Sequence, residues 1–320
     1  MRCKKSEANF SRGNKIVYVF PGQGSQKIGM GLDLYQDYSS AREVFDEADT
    51  ALGFPLSRLC FEGPEEELVK TKNVQPAILM TSIACLKAAE QNSNGKLPLP
   101  LFVAGHSLGE YTALVVAKVL SLSDAVRLVK ERGRLMYEAG QKNPGGMLAI
   151  IGLRSEATEA ICLRTGTEIS NINCPGQIVI SGSISAISEA SELARNEGAR
   201  FIPLKVSGAF HSALMEPAMT EFSKIVPSFT FRSPTIPIIA NVTAQPLADS
   251  ESIKEELLKQ LRSCVQWQAS VEYMINNSVS AFYEIGPGRV LSGLIKRINP
   301  EVPTFNISGI ENIAQLGNLV

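Results

Sequence analysis

A strand, a glycine-rich turn and a helix follow one another around Ser107, and this order constrains the fold most strongly. The predicted strand is Leu101–Ala104, the turn reads GHSLG at residues 105–109, and the predicted helix is Glu110–Val119. Such a sharp turn strains the backbone of its serine and leaves no room for side chains two residues to either side. The pattern predicts an α/β fold with an exposed, nucleophilic Ser107 hydroxyl, and a glycine-rich turn without chemical function is the alternative.

Elements on both sides of this turn also favour the α/β class. The first predicted strand is Ile16–Phe20, a β-branched and aromatic run that ends at Pro21 and Gly22. We expect a helix at Pro76–Glu90 with Pro76 in its first turn, and another at Asp124–Tyr137 capped by Ser123. The remaining predicted elements are helices at Ala41–Leu52, Ser212–Ile225, Glu251–Leu261 and Ala269–Asn276, and a strand at Ala281–Ile285.

The middle of the chain has an element order of its own. The predicted order is a strand at Met147–Ile151, a helix at Ser155–Arg164, strands at Glu168–Asn173 and Gln177–Ser181, a helix at Ile184–Glu197 and a strand at Arg200–Lys205. This split βαβ order is typical of a ferredoxin-like unit. Glycine-containing junctions flank it, so we predict a small ferredoxin-like domain at residues 145–206 inserted into a large α/β domain of residues 16–144 and 207–320. Residues 1–15 are predicted to be a disordered extension.

Composition excludes several classes of function. The chain has 31 Lys and Arg against 32 Asp and Glu, a balance that argues against binding to nucleic acid or to a membrane surface. No apolar stretch reaches the roughly 18 residues that a membrane span needs. The six cysteines lack a CxxC pair and the spacing of metal ligands, which predicts reduced thiols, no bound metal and a cytoplasmic protein.

A nucleophilic serine needs a base, and the chain has two histidines. His106 directly precedes Ser107, and adjacent side chains diverge at a tight turn, so His211 is the candidate base. The acids between Ser107 and His211, such as Asp124 and Glu168, do not follow a strand of the large domain. We therefore predict a Ser-His dyad whose imidazole is oriented by an amide or a backbone carbonyl. The backbone N–H of Leu108, just after the serine, can face an oxyanion.

Five motifs occur in an order that resembles the malonyl-CoA:acyl carrier protein transacylase family. The motifs are FPGQGSQ at 20–26, GHSLGEY at 105–111, ERGRLM at 131–136, AFHS at 209–212 and EIGPG at 284–288. The resemblance runs from Val17 to beyond Arg297. It implies an α/β-hydrolase-like large domain with a ferredoxin-like insertion, in agreement with the domains predicted from the element order.

The resemblance also implies roles for individual residues near the serine. Ser107 matches the nucleophile and His211 the base. The backbone N–H of Gln23 would complete an oxyanion hole with that of Leu108. Taken by itself, Gln23 is equally explained as a turn residue. Its loop lacks the glycine patterns that cradle phosphate.

Further matches concern the acyl group. Arg132 matches an arginine that pairs with the free malonyl carboxylate, which suits a guanidinium because it forms two parallel hydrogen bonds. On residue type alone, Arg132 would be assigned to a solvated helix face. Phe210 matches a malonyl-selective loop, and Asn173 matches a residue of the acyl pocket, although asparagine is also a common turn residue. Gln260 matches a catalytic glutamine near the histidine, with Gln266 as the alternative.

The implied function is a ping-pong transfer of malonyl from malonyl-CoA to the phosphopantetheine thiol of an acyl carrier protein, in fatty acid synthesis. The phosphopantetheine belongs to the partner, so we expect no metal and no resident cofactor, and a monomer. Arg200, Lys205, Lys296 and Arg297 are candidates for contact with an acidic carrier. The alternatives are a trans-acting acyltransferase of a polyketide synthase, an acyl-thioester hydrolase and a non-catalytic module that binds carriers.

Overall fold

The computed structural model describes residues 15–316, which form two β-sheets and the helices that cover them. Ten strands lie in this part of the chain: β1 Ile16–Phe20, β2 Phe102–Gly105, β3 Gly145–Ile151, β4 Glu168–Cys174, β5 Gln177–Ser183, β6 Arg200–Pro203, β7 Ile238–Ile239, β8 Pro246–Leu247, β9 Ala281–Ile285 and β10 Thr304–Ile307. The predicted disordered extension, residues 1–15, lies outside the described residues except for Lys15.

Helices connect these strands. The α-helices of the described residues are α1 Leu32–Asp37, α2 Ser39–Leu52, α3 Leu56–Glu62, α4 Glu65–Leu68, α5 Thr71–Asn92, α6 Gly109–Val116, α7 Leu122–Lys142, α8 Ser155–Thr165, α9 Ile184–Asn196, α10 Glu216–Ile225, α11 Ser250–Gln260, α12 Trp267–Asn276, α13 Val290–Ile298 and α14 Ile310–Leu316. Short 3₁₀ turns lie at Ala213–Met215 and Val226–Ser228. Within residues 15–316, no helix has both the length and the apolar character needed to cross a membrane.

The larger sheet is mostly parallel and buried on both faces. Its strand order is β10-β9-β1-β2-β7-β8, and only the β7–β8 pair is antiparallel. Alternate residues of β1 enter two separate apolar clusters, with Ile16, Tyr18 and Phe20 on one face and Val17 and Val19 on the other. Burial on both faces explains why this strand is continuously apolar. The carboxyl ends of β1, β2 and β7 meet at one edge, where an α/β sheet places its ligands.

The smaller sheet is antiparallel in the order β4-β5-β3-β6. Leu148 and Ile180 of this sheet pack with α8 and α9, whereas Met147, Ala149 and Val179 on its other face join the core of the large sheet. The predicted strand-helix-strand-strand-helix-strand order is confirmed, and with it the α/β fold class with a ferredoxin-like unit. We propose 145–206 as the bounds of the inserted domain and 16–144 with 207–320 as the large domain.

Two helix starts differ from the sequence predictions. Helix α5 begins at Thr71, so Pro76 lies inside the helix and not in its first turn. Burial of almost the whole helix outweighs the hydrogen bond that proline cannot donate. Helix α7 begins at Leu122, and its cap is Ser121, whose Oγ accepts from the Asp124 N–H at 3.0 Å. Ser123 instead donates to Glu47.

One predicted helix is divided in the structure, and further elements lie where the sequence predicts none. The predicted helix at Ser212–Ile225 is divided into the 3₁₀ turn at Ala213–Met215 and α10. Helix α13 and strand β10 follow the GPG turn at 286–288 and close one edge of the large sheet.

Candidate active site

Ser107 lies in a strained turn at the carboxyl end of β2. Its backbone has a φ of 50°, which is unusual for a residue other than glycine. The flanking glycines are required by close packing, since a Cβ on Gly105 would lie 1.9 Å from the carbonyl carbon of Gly109. A Cβ on Gly109 would lie 2.0 Å from the carbonyl oxygen of Phe20 in the neighbouring strand. These contacts hold the serine hydroxyl at the edge of the sheet.

His211 contacts the serine directly. Its Nε2 lies 2.8 Å from Ser107 Oγ, and its Nδ1 lies 2.7 Å from the backbone carbonyl oxygen of Gln260. A carbonyl oxygen only accepts, so Nδ1 carries the proton and the Nε2 lone pair faces the hydroxyl. The imidazole is thus oriented by a backbone carbonyl and not by a carboxylate.

The surroundings keep His211 neutral. Burial, and then the positive charge of Arg132, lower the pKa of His211 to about 3. A neutral imidazole is the form that can take a proton from Ser107.

Arg132 extends from α7 toward Ser107 and His211. It is 1% exposed, so the solvated-face alternative is wrong. One terminal nitrogen donates to Gln75 Oε1 at 2.8 Å, and the other donates to Gln260 Oε1 at 2.7 Å and to Ser107 Oγ at 3.3 Å. None of the salt bridges among the described residues includes Arg132. A buried cation held by neutral amide oxygens is available to an anionic ligand.

A cleft of about 230 Å³ joins these groups. It lies between the carboxyl edge of the large sheet and the inner face of the small sheet. Its apolar wall includes Met147, Ala149, Val179 and Leu204. The cleft combines a small apolar volume with a nucleophile, a base and a cation, which suits a short acyl chain ending in an anionic group.

The two backbone N–H groups expected to hold an oxyanion also border the cleft. Gln23 follows β1 and Leu108 follows the serine, and both residues line the cleft. Within residues 15–316, neither N–H donates to a protein acceptor. The loop containing Gln23 lies close to the serine turn, because a Cβ on Gly22 would lie 2.5 Å from the His106 carbonyl oxygen. Two free N–H groups near one hydroxyl can receive the negative oxygen of a tetrahedral intermediate.

Asn173, Phe210 and His106 form part of the cleft wall. Asn173 Oδ1 lies 2.8 Å from His106 Nε2, and the His106 ring lies against Trp267. Burial lowers the pKa of His106 and keeps it neutral. The Phe210 carbonyl accepts from Ser181 Oγ at 2.7 Å, which ties the loop before His211 to the small sheet.

Gln260 is at the centre of the site and Gln266 is not. Besides its carbonyl contact with His211, Gln260 donates from Nε2 to the Ser107 carbonyl oxygen at 3.0 Å and to Glu110 Oε2. Gln266 precedes α12, and its backbone N–H donates to the Asn241 carbonyl at 2.7 Å. Neither glutamine lines the cleft, but Gln260 is hydrogen-bonded to Ser107, Arg132 and His211, which do.

Three residues that support the site were not expected from the sequence. Asn241 accepts the Ser107 N–H at Oδ1 and donates to the Gly105 carbonyl, both at 2.7 Å. Glu110 Oε1 accepts the Asn241 N–H at 2.9 Å. Burial and the negative charge of Glu256 raise the pKa of Glu110 well above its ordinary value. The third is Gln75, whose amide oxygen accepts from Arg132. Glu110 belongs to the GHSLGEY motif, whereas Asn241 has no local signal.

Comparison with known proteins finds relatives that match nearly the whole chain. Residues 17–311 match the family model of the acyl transferase domain. A malonyl CoA-acyl carrier protein transacylase of Bacillus subtilis (strain 168) is 46% identical over 306 residues, covering 94% of this chain and 95% of that protein. The structure of the malonyl CoA-acyl carrier protein transacylase of Coxiella burnetii is similar with a TM-score of 0.92 and 36% identity, over 96% of this chain and 98% of that one. A malonyl transacylase solved in complex with a type II polyketide synthase acyl carrier protein has a TM-score of 0.91 and 38% identity, over 95% and 99% of the two chains.

Proposed function

The chain belongs to the malonyl-CoA:acyl carrier protein transacylases of the acyl transferase family, and from its site we propose how it performs the transfer. It moves a malonyl group from malonyl-CoA to the phosphopantetheine thiol of an acyl carrier protein, for fatty acid synthesis. The observation that carries the mechanism is the position of Ser107 Oγ, 2.8 Å from His211 Nε2 and 3.3 Å from a terminal nitrogen of Arg132. A nucleophile, its base and a carboxylate-binding cation therefore meet at one hydroxyl.

The first half-reaction forms a malonyl ester on Ser107. His211 Nε2 takes the hydroxyl proton while Oγ attacks the thioester carbonyl carbon. The carbonyl oxygen becomes an oxyanion, which the N–H groups of Leu108 and Gln23 receive. When the intermediate collapses, the carbon–sulfur bond breaks and the coenzyme A sulfur takes the proton from His211.

Arg132 selects and orients the acyl group. Its guanidinium binds the free malonyl carboxylate through charge-assisted hydrogen bonds, and the amide oxygens of Gln75 and Gln260 hold it in place. An acyl group without the carboxylate leaves the buried cation unpaired. The site therefore favours malonyl over acetyl at both binding and acylation.

The second half-reaction reverses the chemistry with a new thiol. The phosphopantetheine thiol of the carrier gives its proton to His211 and attacks the ester carbonyl. The same two N–H groups receive the oxyanion, and Ser107 leaves with the proton from His211. Because one site serves both halves, coenzyme A must leave before the carrier thiol enters. This is a ping-pong order.

We further propose a cytoplasmic monomer. All the residues named in the mechanism come from one chain, so the site needs no second copy. Five cysteines of the described residues are free thiols, as in proteins of a reducing compartment. A polyketide synthase carrier is the second candidate acceptor, because one similar structure is a complex with such a carrier.

Product analysis with malonyl-CoA and a phosphopantetheinylated carrier tests the proposal. We compare the wild type with Ser107→Ala and Arg132→Ala, and with Arg134→Ala as a matched control. Arg134 lies on the same helix but is paired with Glu131 and Glu138 outside the cleft. Malonyl-carrier should form with the wild type and Arg134→Ala, should be absent with Ser107→Ala and should fall sharply with Arg132→Ala.

Other products would overturn the proposal. Steady release of free malonate by the wild type without carrier would show that water is the acceptor and that the protein is a hydrolase. Absence of both malonyl-carrier and malonate would leave a binding module. Parallel reactions with a fatty acid carrier and a polyketide carrier would identify the acceptor from the faster rate of malonyl-carrier formation.

A further inference from the structure

We propose that Glu110 is a positioning residue for the choice of acyl group: its carboxyl oxygens fix the amide of Gln260 in the orientation that keeps an acceptor oxygen on Arg132. This inference rests on the proposed function, in which Arg132 binds the malonyl carboxylate. Glu110 itself does not line the cleft, so it acts through its neighbours.

The carboxyl group of Glu110 faces two N–H donors. It is completely buried in the first turn of α6. Its Oε1 accepts the backbone N–H of Asn241 at 2.9 Å, and its Oε2 accepts from Gln260 Nε2. A backbone N–H cannot exchange its role, so Oε1 must remain an acceptor. The Ser107 carbonyl likewise only accepts, so the Gln260 atom beside it is Nε2, and Glu110 Oε2 accepts from the same NH₂ group.

These contacts select one of the two orientations of the Gln260 amide. With Nε2 toward Glu110 and the Ser107 carbonyl, Oε1 faces Arg132 and accepts from it at 2.7 Å. The reversed amide would direct Oε1 at two acceptor oxygens and Nε2 at a guanidinium N–H. Each of these pairings is repulsive. The orientation of one amide thus decides whether Arg132 has this acceptor.

Replacing Glu110 with glutamine would disrupt this pattern of hydrogen bonds. Its single oxygen would accept the Asn241 N–H, and its NH₂ would then face the Nε2 donor of Gln260. To relieve this contact the Gln260 side chain must shift or turn. A turned amide meets the Ser107 carbonyl and Arg132 unfavourably, so either change weakens the acceptor on Arg132. The Gln260 backbone carbonyl does not move in that change, so His211 and the attack by Ser107 are preserved. The loss should fall on substrates that need Arg132.

The test compares acylation of Ser107 by malonyl-CoA and by acetyl-CoA. In Glu110→Gln the malonyl-to-acetyl ratio of kcat/KM should fall about 10-fold to 100-fold, the usual effect of losing a hydrogen bond to a charged group. The fall should appear mainly as a higher KM for malonyl-CoA, with the acetyl-CoA reaction preserved.

Glu256→Gln is the matched control. It removes the buried carboxyl group whose negative charge acts on Glu110. That carboxyl group accepts the Val242 N–H at 2.8 Å. No hydrogen bond of the described residues joins Glu256 to Gln260 or Arg132. The ratio should therefore stay at the wild-type value in Glu256→Gln. An equal fall in both variants would mean a general loosening of the site and would overturn the inference.

An unchanged ratio in Glu110→Gln would also overturn it. If that variant does not fold, as judged by circular dichroism, Gln260→Leu decides, because it keeps the backbone carbonyl and lacks the acceptor oxygen. Gln260→Leu should lose the malonyl preference, and retention of the preference would contradict the inference. Failure of the wild type to form any malonyl ester would instead refute the proposed function.

Discussion

Lowering the pH from 7 to 5 tests whether His211 is buried as a neutral base. An ordinary histidine has a pKa of 6.5, and burial together with the charge of Arg132 lowers the pKa of folded His211 to about 3. Below pH 6.5 the unfolded chain therefore binds a proton at this residue that the folded protein does not bind. The contribution of His211 to the free energy of unfolding must therefore fall as the pH drops through this window.

The size of the loss follows from proton linkage. For an unfolded pKa of 6.5 and a folded pKa near 3, His211 alone costs about 2 kcal/mol of stability between pH 7 and pH 5. His106 acts in the same direction, because burial lowers its pKa as well. Glu110 and Glu256 act in the opposite direction, because their pKa values are raised in the folded protein.

A comparison of variants isolates the contribution of His211. Urea unfolding at pH 7 and at pH 5 gives the loss of stability for the wild type, for His211→Gln and for Ser107→Ala. His106, Glu110 and Glu256 are present in all three proteins. We expect the loss in His211→Gln to be smaller than in the wild type by about 2 kcal/mol. Ser107→Ala is inactive but keeps His211, so its loss should match that of the wild type.

Equal losses in the wild type and His211→Gln would refute this reasoning, because His211 would then titrate like an exposed histidine. The rate of Ser107 acylation gives a second check. A base with a pKa of 6.5 would lose about tenfold in rate at pH 5.5, whereas a base with the lowered pKa should show almost no loss.

Two further substitutions test the binding of the malonyl carboxylate by Arg132 and the packing of the turn at Ser107. In Arg132→Lys a point charge replaces the planar fork, so kcat/KM for malonyl-CoA should fall about 10-fold to 100-fold while acetyl-CoA is unaffected; equal activity with malonyl-CoA would show that charge alone suffices. In Gly109→Ala the new Cβ would lie 2.0 Å from the Phe20 carbonyl oxygen, so thermal unfolding should report a loss of about 3 kcal/mol or more. A wild-type melting temperature in Gly109→Ala would contradict the packing at the turn.

Local patterns predicted much of the fold because the elements concerned are specified by nearby residues. The strand Ile16–Phe20 was predicted with its exact bounds, since it is a short β-branched and aromatic run ended by a Pro-Gly pair. The element order of residues 147–205 was also predicted, because its strands and helices have distinct periods. The start of α5 at Thr71 was missed because burial, a tertiary effect, outweighed the preference of Pro76 for a first turn.

The candidate site was predictable where chemistry is rare in the sequence. Two histidines left one candidate base, and the glycine turn identified Ser107. Asn241 could not be found in this way, because it is 134 residues from Ser107 and reaches it only through the parallel pairing of β2 with β7. The orienting group of His211 is a backbone carbonyl, which has no sequence signature. Burial of Arg132 was hidden because its neighbours Glu131, Arg134 and Glu138 form ion pairs that make this part of the helix look like a solvated face.

Trapping the acyl-enzyme tests the central claim most directly. The protein is mixed with malonyl-CoA in the absence of carrier, quenched, digested and mapped by mass spectrometry, and a second portion is chased with carrier before quenching. We expect a malonyl ester on the peptide that contains Ser107, release of one equivalent of coenzyme A, and complete discharge by the carrier. An ester at another residue, or malonyl-carrier formed only when both substrates are present together, would contradict a Ser107 intermediate.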